Sequence, residues 1–180
     1  VIHRMTFRTA LGYHQRGLLD RAEILYLEIL RSDPQNFEVL QLLGVLASQK
    51  GNHTRAVEYI GYAIAQQPSN PHLHFNLGVS LEELGMIKEA ADSYGRATSL
   101  DTRYADALLN QGNCLVRLGD QVGAELAYRF AIAARPAYAA AHSNLGNLLQ
   151  EKGNLHDALS SHVQAVECDP EVATYHFNLG

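Results

Sequence analysis

The chain has 180 residues, 47% apolar and 18% charged, a balance that excludes a disordered polypeptide and allows a buried core. Fourteen Lys and Arg against nineteen Asp and Glu leave a net charge of −5, which argues against a general nucleic-acid binder with its basic footprint. No apolar run approaches the ~18 residues of a membrane-spanning helix, no secretory leader pattern is present, and two cysteines, Cys114 and Cys168, are too few for a disulfide framework. The expected setting is therefore cytoplasmic, away from membranes and nucleic acid.

The elements repeat on a 34-residue ruler. The pentapeptide HFNLG at 74–78 returns at 176–180, and HSNLG stands at 142–146, so the offsets are 102 and 68 residues. A period of this size marks an array of stacked repeats. In chain order, the first unit, 3–36, carries Gly17 between two helical patterns and Pro34 after the second. The second, 37–70, repeats this with Gly44, Gly51, Ala56, Ala63 and Pro68. The third, 71–104, opens on Asn70-Pro71, an N-cap followed by proline at the first helical position. It continues with Gly78, Gly85, Ala90, Tyr94 and Ala97, and has Thr102 where a proline is missing. The fourth, 105–138, supplies Gly112, Gly119, Ala124, Ala131 and Pro136; the fifth, 139–172, supplies Gly146, Gly153, Ala158, Ala165 and Pro170. Residues 173–180 read as the first helix of a sixth unit. Each unit is thus expected to be helix–turn–helix: apolar residues recur at helical spacing, as in Leu77, Leu81 and Leu84, glycine ends the first helix, and proline stops the second. The chain opens on Val1 and closes inside a repeat, so it is expected to be a fragment of something longer.

These columns resemble the tetratricopeptide repeat (TPR) family. In the third unit the pattern reads His74, Leu77-Gly78, Leu81, Ala90, Tyr94 and Ala97; in the fifth it reads His142, Leu145-Gly146, Leu149, Ala158, His162, Ala165 and Pro170. The departures are the absence of tryptophan and Thr9-Ala10 in place of Leu-Gly in the first unit. The resemblance implies an all-α, right-handed superhelical solenoid of antiparallel helix pairs, with first helices lining a concave groove and second helices the convex side. The NLG signature and its asparagines further resemble the TPR region of O-linked N-acetylglucosamine transferases and their bacterial relatives, in which a catalytic domain follows the repeats.

Asn76, Asn110, Asn144 and Asn178 recur every 34 residues, and Asn113 and Asn147 lie three positions past two of them, on the same helical face. Asparagine is a poor mid-helix residue that packing does not require, and a carboxamide donates and accepts at once. The column is therefore read as a ladder that grips an extended peptide backbone, against the alternative that the amides only bond neighbouring helices. Phe75, Leu109 and Phe177 are expected in the same groove as apolar contacts. Glu83, Arg117 and Glu151 form a charged row there, with Arg117 as a further contact and pairing between the three charges as the competing reading. The lysines and arginines with which cochaperone TPRs grip a carboxylate terminus are absent from the matching positions, Phe7, Gln41, Leu42, His72 and Asn76.

Nine histidines show no metal-ligand spacing and are expected at packing positions; no cofactor is implied. No catalytic signature is present, and Asn52-His53-Thr54 reads as turn and cap chemistry instead of a glycosylation site. The sequence thus describes a non-catalytic scaffold binding a peptide or partner protein. The alternatives are the substrate-recruiting arm of a glycosyltransferase and a structural array self-associating through Phe177 and Leu179.

Overall fold

A computed structural model describes residues 2–170. The closing segment with its second HFNLG, and with it Phe177, Asn178 and Leu179, lies outside the described residues. Among the described residues ten α-helices follow one another: α1 (Ile2–Gln15), α2 (Leu19–Ser32), α3 (Phe37–Gln49), α4 (His53–Gln66), α5 (Pro71–Glu83), α6 (Ile87–Leu100), α7 (Ala105–Arg117), α8 (Gln121–Ala134), α9 (Ala139–Glu151) and α10 (Leu155–Cys168). The chain is all-helical, in paired repeats. Contacts divide it into two units, Val1–Met86 and Ile87–Gly180.

The helix ends follow from the punctuation. Gly17, Gly51, Gly85, Gly119 and Gly153 all sit at φ between +73° and +81°, the left-handed conformation that closes a helix at little cost only for glycine. Asn36, Asn52, Asn70 and Asp120 accept backbone N–H bonds at the next helix start, from Val39, Arg55, His72 and Gly123. Asn52 is thus a helix cap, and Pro71 takes the first-turn position as expected. Prolines 34, 68, 136 and 170 stand two residues past α2, α4, α8 and α10, where each keeps its predecessor out of the helical region. At Thr102, where proline is missing, α6 still stops at Leu100 because the Asp101 carboxylate accepts the Arg103 N–H at 3.0 Å, a side-chain turn.

Within unit 1, α1 to α5 pack each against the next, and α3 also touches α5. One cluster joins Ala10, Ala22, Tyr26, Ile29, Val39, Leu43 and Leu46; a second joins Leu40, Ala47, Ala56, Ile60, Ala63 and Leu73. On the surface Lys50 bridges Asp20 and Glu23, and Arg55 pairs with Glu23. Within unit 2, α6 to α10 pack in the same manner and α7 also touches α9. Its core joins Leu108, Leu109, Ala124, Tyr128, Ala131, Leu145, Leu148 and Leu149. Asp106 accepts a two-pronged Arg135 pair at 3.0 Å and a Tyr138 hydroxyl at 2.7 Å, which ties α7 to the segment between α8 and α9. The Arg135 contact holds the Asp106 carboxyl below its ordinary range.

Two histidines, His74 and His142, pack in the core with one polar duty each, whereas His72 and His156 are exposed. His74 and His142 are buried, and each ring Nε2 bonds the carbonyl of the proline six residues earlier, Pro68 at 2.8 Å and Pro136 at 2.9 Å. His162 differs: it is 1% exposed and neither ring nitrogen has a partner. Cys114 is buried and Cys168 half-buried, and both are free thiols.

Candidate functional site: the asparagine pocket of unit 2

The site begins with a close approach. Gly112 on α7 carries no side chain, and a Cβ there would stand 2.5 Å from Cε1 of Tyr128 on α8. The tyrosine ring therefore lies directly on the α7 backbone, and its hydroxyl passes beyond to donate to Oδ1 of Asn113 at 2.9 Å. From α9, the Asn144 amide donates to the same Oδ1 at 2.8 Å. One carbonyl oxygen thus accepts from both directions, and both asparagines are fixed in orientation. Burial of Tyr128 pushes its hydroxyl up to about 12, so the group is a protonated donor throughout the neutral range.

With these bonds made, the Asn113 amide N–H₂ and the Asn144 side-chain oxygen remain without partners among the described residues. Both residues line an open pocket of about 320 Å³ together with Val116, Arg117, Tyr128, Asn147, Leu148 and Glu151. The pocket offers a donor and an acceptor side by side, with an acid and a base at its edges.

The expected site residues divide. Asn113, Asn144, Asn147 and Arg117 come together in this pocket. Asn110, also on α7, is half-buried and directs its amide to the Tyr94 hydroxyl on α6 at 3.4 Å. Asn76 and Phe75 are half-buried on α5 of unit 1. Leu109 requires correction: expected as a groove contact, it is 8% exposed and packs in the core of unit 2, because its turn of α7 faces α8 and α9. Asn178 and Phe177 lie outside the described residues.

The sequence reading did not single out Tyr128, whose hydroxyl orients Asn113. The available signal was the sixteen-residue offset that pairs Tyr94 with Asn110 and Tyr128 with Asn144. Sequence reading also missed an apolar cleft of about 390 Å³ in unit 2, walled by Leu108, Leu115, Leu126 and Phe130.

Among the described residues, no helix is long and apolar enough to cross a membrane, and no group of three His, Cys, Asp or Glu is placed to hold a metal.

No curated protein matches the sequence. Among solved structures, MamA superposes with a TM-score of 0.86 at 26% identity, over 92% of this chain and 97% of that one. YrrB, a TPR protein with an unusual peptide-binding site, gives 0.83 at 23% identity, over 96% and 89%. The pilF protein of Pseudomonas aeruginosa gives 0.81 at 19% identity, over 98% and 80%; at these lower identities the likeness is one of fold. Profiles described as tetratricopeptide repeat match residues 42–101 and 85–139, and a further one matches 25–58. With more than half of its length matched and its helices paired on the same period, the chain belongs to the tetratricopeptide repeat family.

Proposed function

We propose that this chain is a non-catalytic interaction scaffold that takes an extended peptide, or an extended segment of a partner protein, at its asparagine-lined helices. One observation carries the reading: in unit 2 the Asn113 donor and the Asn144 acceptor are held ready by Tyr128, and face an open pocket. A peptide backbone presents a carbonyl and an N–H to meet such a pair, whatever its side chains. Orientation fixed before binding reduces the ordering cost of the complex. The peptide-binding site ascribed to YrrB supports the reading by analogy of fold.

A peptide array against the intact chain and against Asn113→Ala and Asn144→Ala tests it. Loss of binding by both variants, with helicity unchanged in circular dichroism, is the expected outcome. Undiminished binding by both would return the amides to the scaffold.

Two finer parts of the reading rest on the sequence. The NLG signature with its asparagine column favours a substrate-recruiting arm of an O-linked N-acetylglucosamine transferase-like protein. The parent open reading frame decides that point, by encoding a glycosyltransferase domain or a different one. A cytoplasmic setting is supported by the free thiols Cys114 and Cys168, and compartment-resolved tagging of the parent protein would test it. Self-association through Phe177 and Leu179 is tested by light scattering, where a monomer at high concentration would end it.

A further inference from the structure

The outer stripe of α8 departs from the matching stripe of the other second helices. Along α8 it reads Val122, Leu126 and Phe130, one residue per turn. The same columns hold Lys88, Asp92 and Arg96 in α6, and His156, Ser160 and Gln164 in α10. In α2 and α4 they hold one large apolar residue each, Ile24 and Tyr62. That is the composition of a solvated helix face. In α8 all three residues are apolar, yet they stand 69%, 52% and 59% exposed.

The apolar cleft of about 390 Å³ adjoins this stripe on the α6 side, and Leu126 and Phe130 belong to both. Stripe and cleft therefore form one surface. It lies across α7 from the asparagine pocket: the cleft takes Leu108, Gln111 and Leu115 of that helix, and the pocket takes Asn113, Val116 and Arg117. The next groove, between α8 and α10, shows the ordinary chemistry. There Arg129, Ser160, Ser161 and Gln164 replace Gly95, Leu126, Ala127 and Phe130, so the walls are polar.

Dimensions and charge select what can cover the α8 surface. From Val122 to Phe130 the stripe runs about 12 Å at the helical rise, two turns of a single helix. A globular partner would seek a patch of ~800 Å². A small molecule in the cleft would leave Val122, which lies outside it, in water. Across the cleft, Asp92, Arg96 and Arg103 are exposed and make no ion pair among the described residues. Asp101 and Asp120 are committed to backbone N–H groups as turn and cap, and Glu125 is engaged by Arg129 and Lys152. The unanswered charge on the α6 edge is thus positive, two guanidinium groups against one carboxylate.

We propose that α8 and its cleft form a docking site for an amphipathic helix of a partner protein. That helix carries large apolar residues at i, i+4 and i+7, and acidic residues on the flank that faces α6. Its apolar stripe covers Val122, Leu126 and Phe130 and fills the cleft. Its carboxylates meet Arg96 and Arg103, which are seven residues apart, so they too recur after about two turns. The site shares no residue with the asparagine pocket except through the fold, and peptide binding there can fail without affecting it.

The test uses two synthetic amphipathic peptides with the same leucine stripe, one with glutamates on the flank and one with lysines in their place. Binding to the intact chain is read by fluorescence anisotropy and located on the methyl resonances of Val122, Leu126 and Leu115. The glutamate peptide should bind saturably and roughly 10-fold more tightly than the lysine peptide, by a margin that shrinks in high salt. Arg96→Glu combined with Arg103→Glu should reverse that order. Leu126→Ser combined with Phe130→Gln, which installs the residues of α10, should weaken both peptides at least about 10-fold with helicity unchanged. If that pair lowers helicity, Phe130→Gln alone takes its place. Failure of the glutamate peptide to bind, equal affinity for the two peptides, or binding that survives the folded α8 variant would each overturn the proposal. So would dimerisation of the chain alone that the α8 variant abolishes, because the occupant would then be a second copy.

Discussion

The two units solve one packing problem with different chemistry. In unit 1 the residue seated on the glycine is Ile60, its neighbour at the Asn113 position is Val45, and the contact is apolar throughout. In unit 2 the residue is Tyr128, buried at 3% exposure, and its hydroxyl cannot be enclosed without an acceptor. Asn113 provides that acceptor, and Asn144 joins it. An aliphatic seat therefore leaves the neighbouring asparagine unengaged, whereas a phenolic seat captures two asparagines and fixes their remaining donor and acceptor. One column, by its choice of isoleucine or tyrosine, decides whether the asparagine column is a loose set of amides or an oriented site.

The largest effect should come from closing the glycine contact. Gly112→Ala drives a Cβ into a rigid ring and should cost about 2–3 kcal/mol in urea unfolding; Gly44→Ala meets an isoleucine that can change rotamer and should cost about 1 kcal/mol. Equal losses would mean that the ring is not the stiffer seat.

Next is the hydroxyl itself. Tyr128→Phe should cost about 1 kcal/mol, and the double change Tyr128→Ile with Asn113→Val, which rebuilds the unit 1 pair, should cost less than the sum of its parts. An additive cycle would show that the two residues do not depend on each other. The same hydroxyl gives a signature in alkali. Its folded pKa is raised by burial to about 12 while the unfolded value is near 10, so its contribution is fully present below pH 10 and is lost as pH rises towards 12. Tyr128→Phe should flatten that limb.

His162 takes the same column one repeat later, on Gly146, where a Cβ would stand 2.6 Å from its ring. With both nitrogens unpaired, His162→Phe should stabilise by roughly 1 kcal/mol at neutral pH. Burial lowers the His162 pKa, so the unfolded chain takes up the proton first: its contribution is present above pH 6.5 and is lost as pH falls. The advantage of the Phe variant over the parent should accordingly widen under mild acid, and a constant difference across pH would count against the buried-histidine reading.

The smallest effect belongs to the surface. Arg135→Gln removes a half-exposed ion pair and should cost about 0.5 kcal/mol or less, diminishing with salt. Asp106, whose carboxyl Arg135 holds low, contributes above its ordinary pKa and loses that contribution as pH falls through the folded value. The variant should therefore be less acid-sensitive than its parent.

What the sequence by itself determined is everything that depends on near neighbours. Glycine at the left-handed turn, asparagine at the helix start and proline past the helix end act within a few residues of themselves, so the ten helices of the described residues and their 34-residue period were legible. The identity of the small-residue columns was legible too, since only a small residue admits a second helix so closely. What the tertiary structure decided is which of the repeated side chains are engaged. Asn76, Asn110 and Asn144 are the same letter at the same place in the repeat, yet their partners sit on other helices: isoleucine beside Asn76, and tyrosines beside Asn110 and Asn144. Leu109 fell into the core for a related reason, because helical spacing marks a face but not which neighbours cover its edge. A hydrogen bond made across helices depends on a residue sixteen or thirty-one positions away, and only packing brings that residue near.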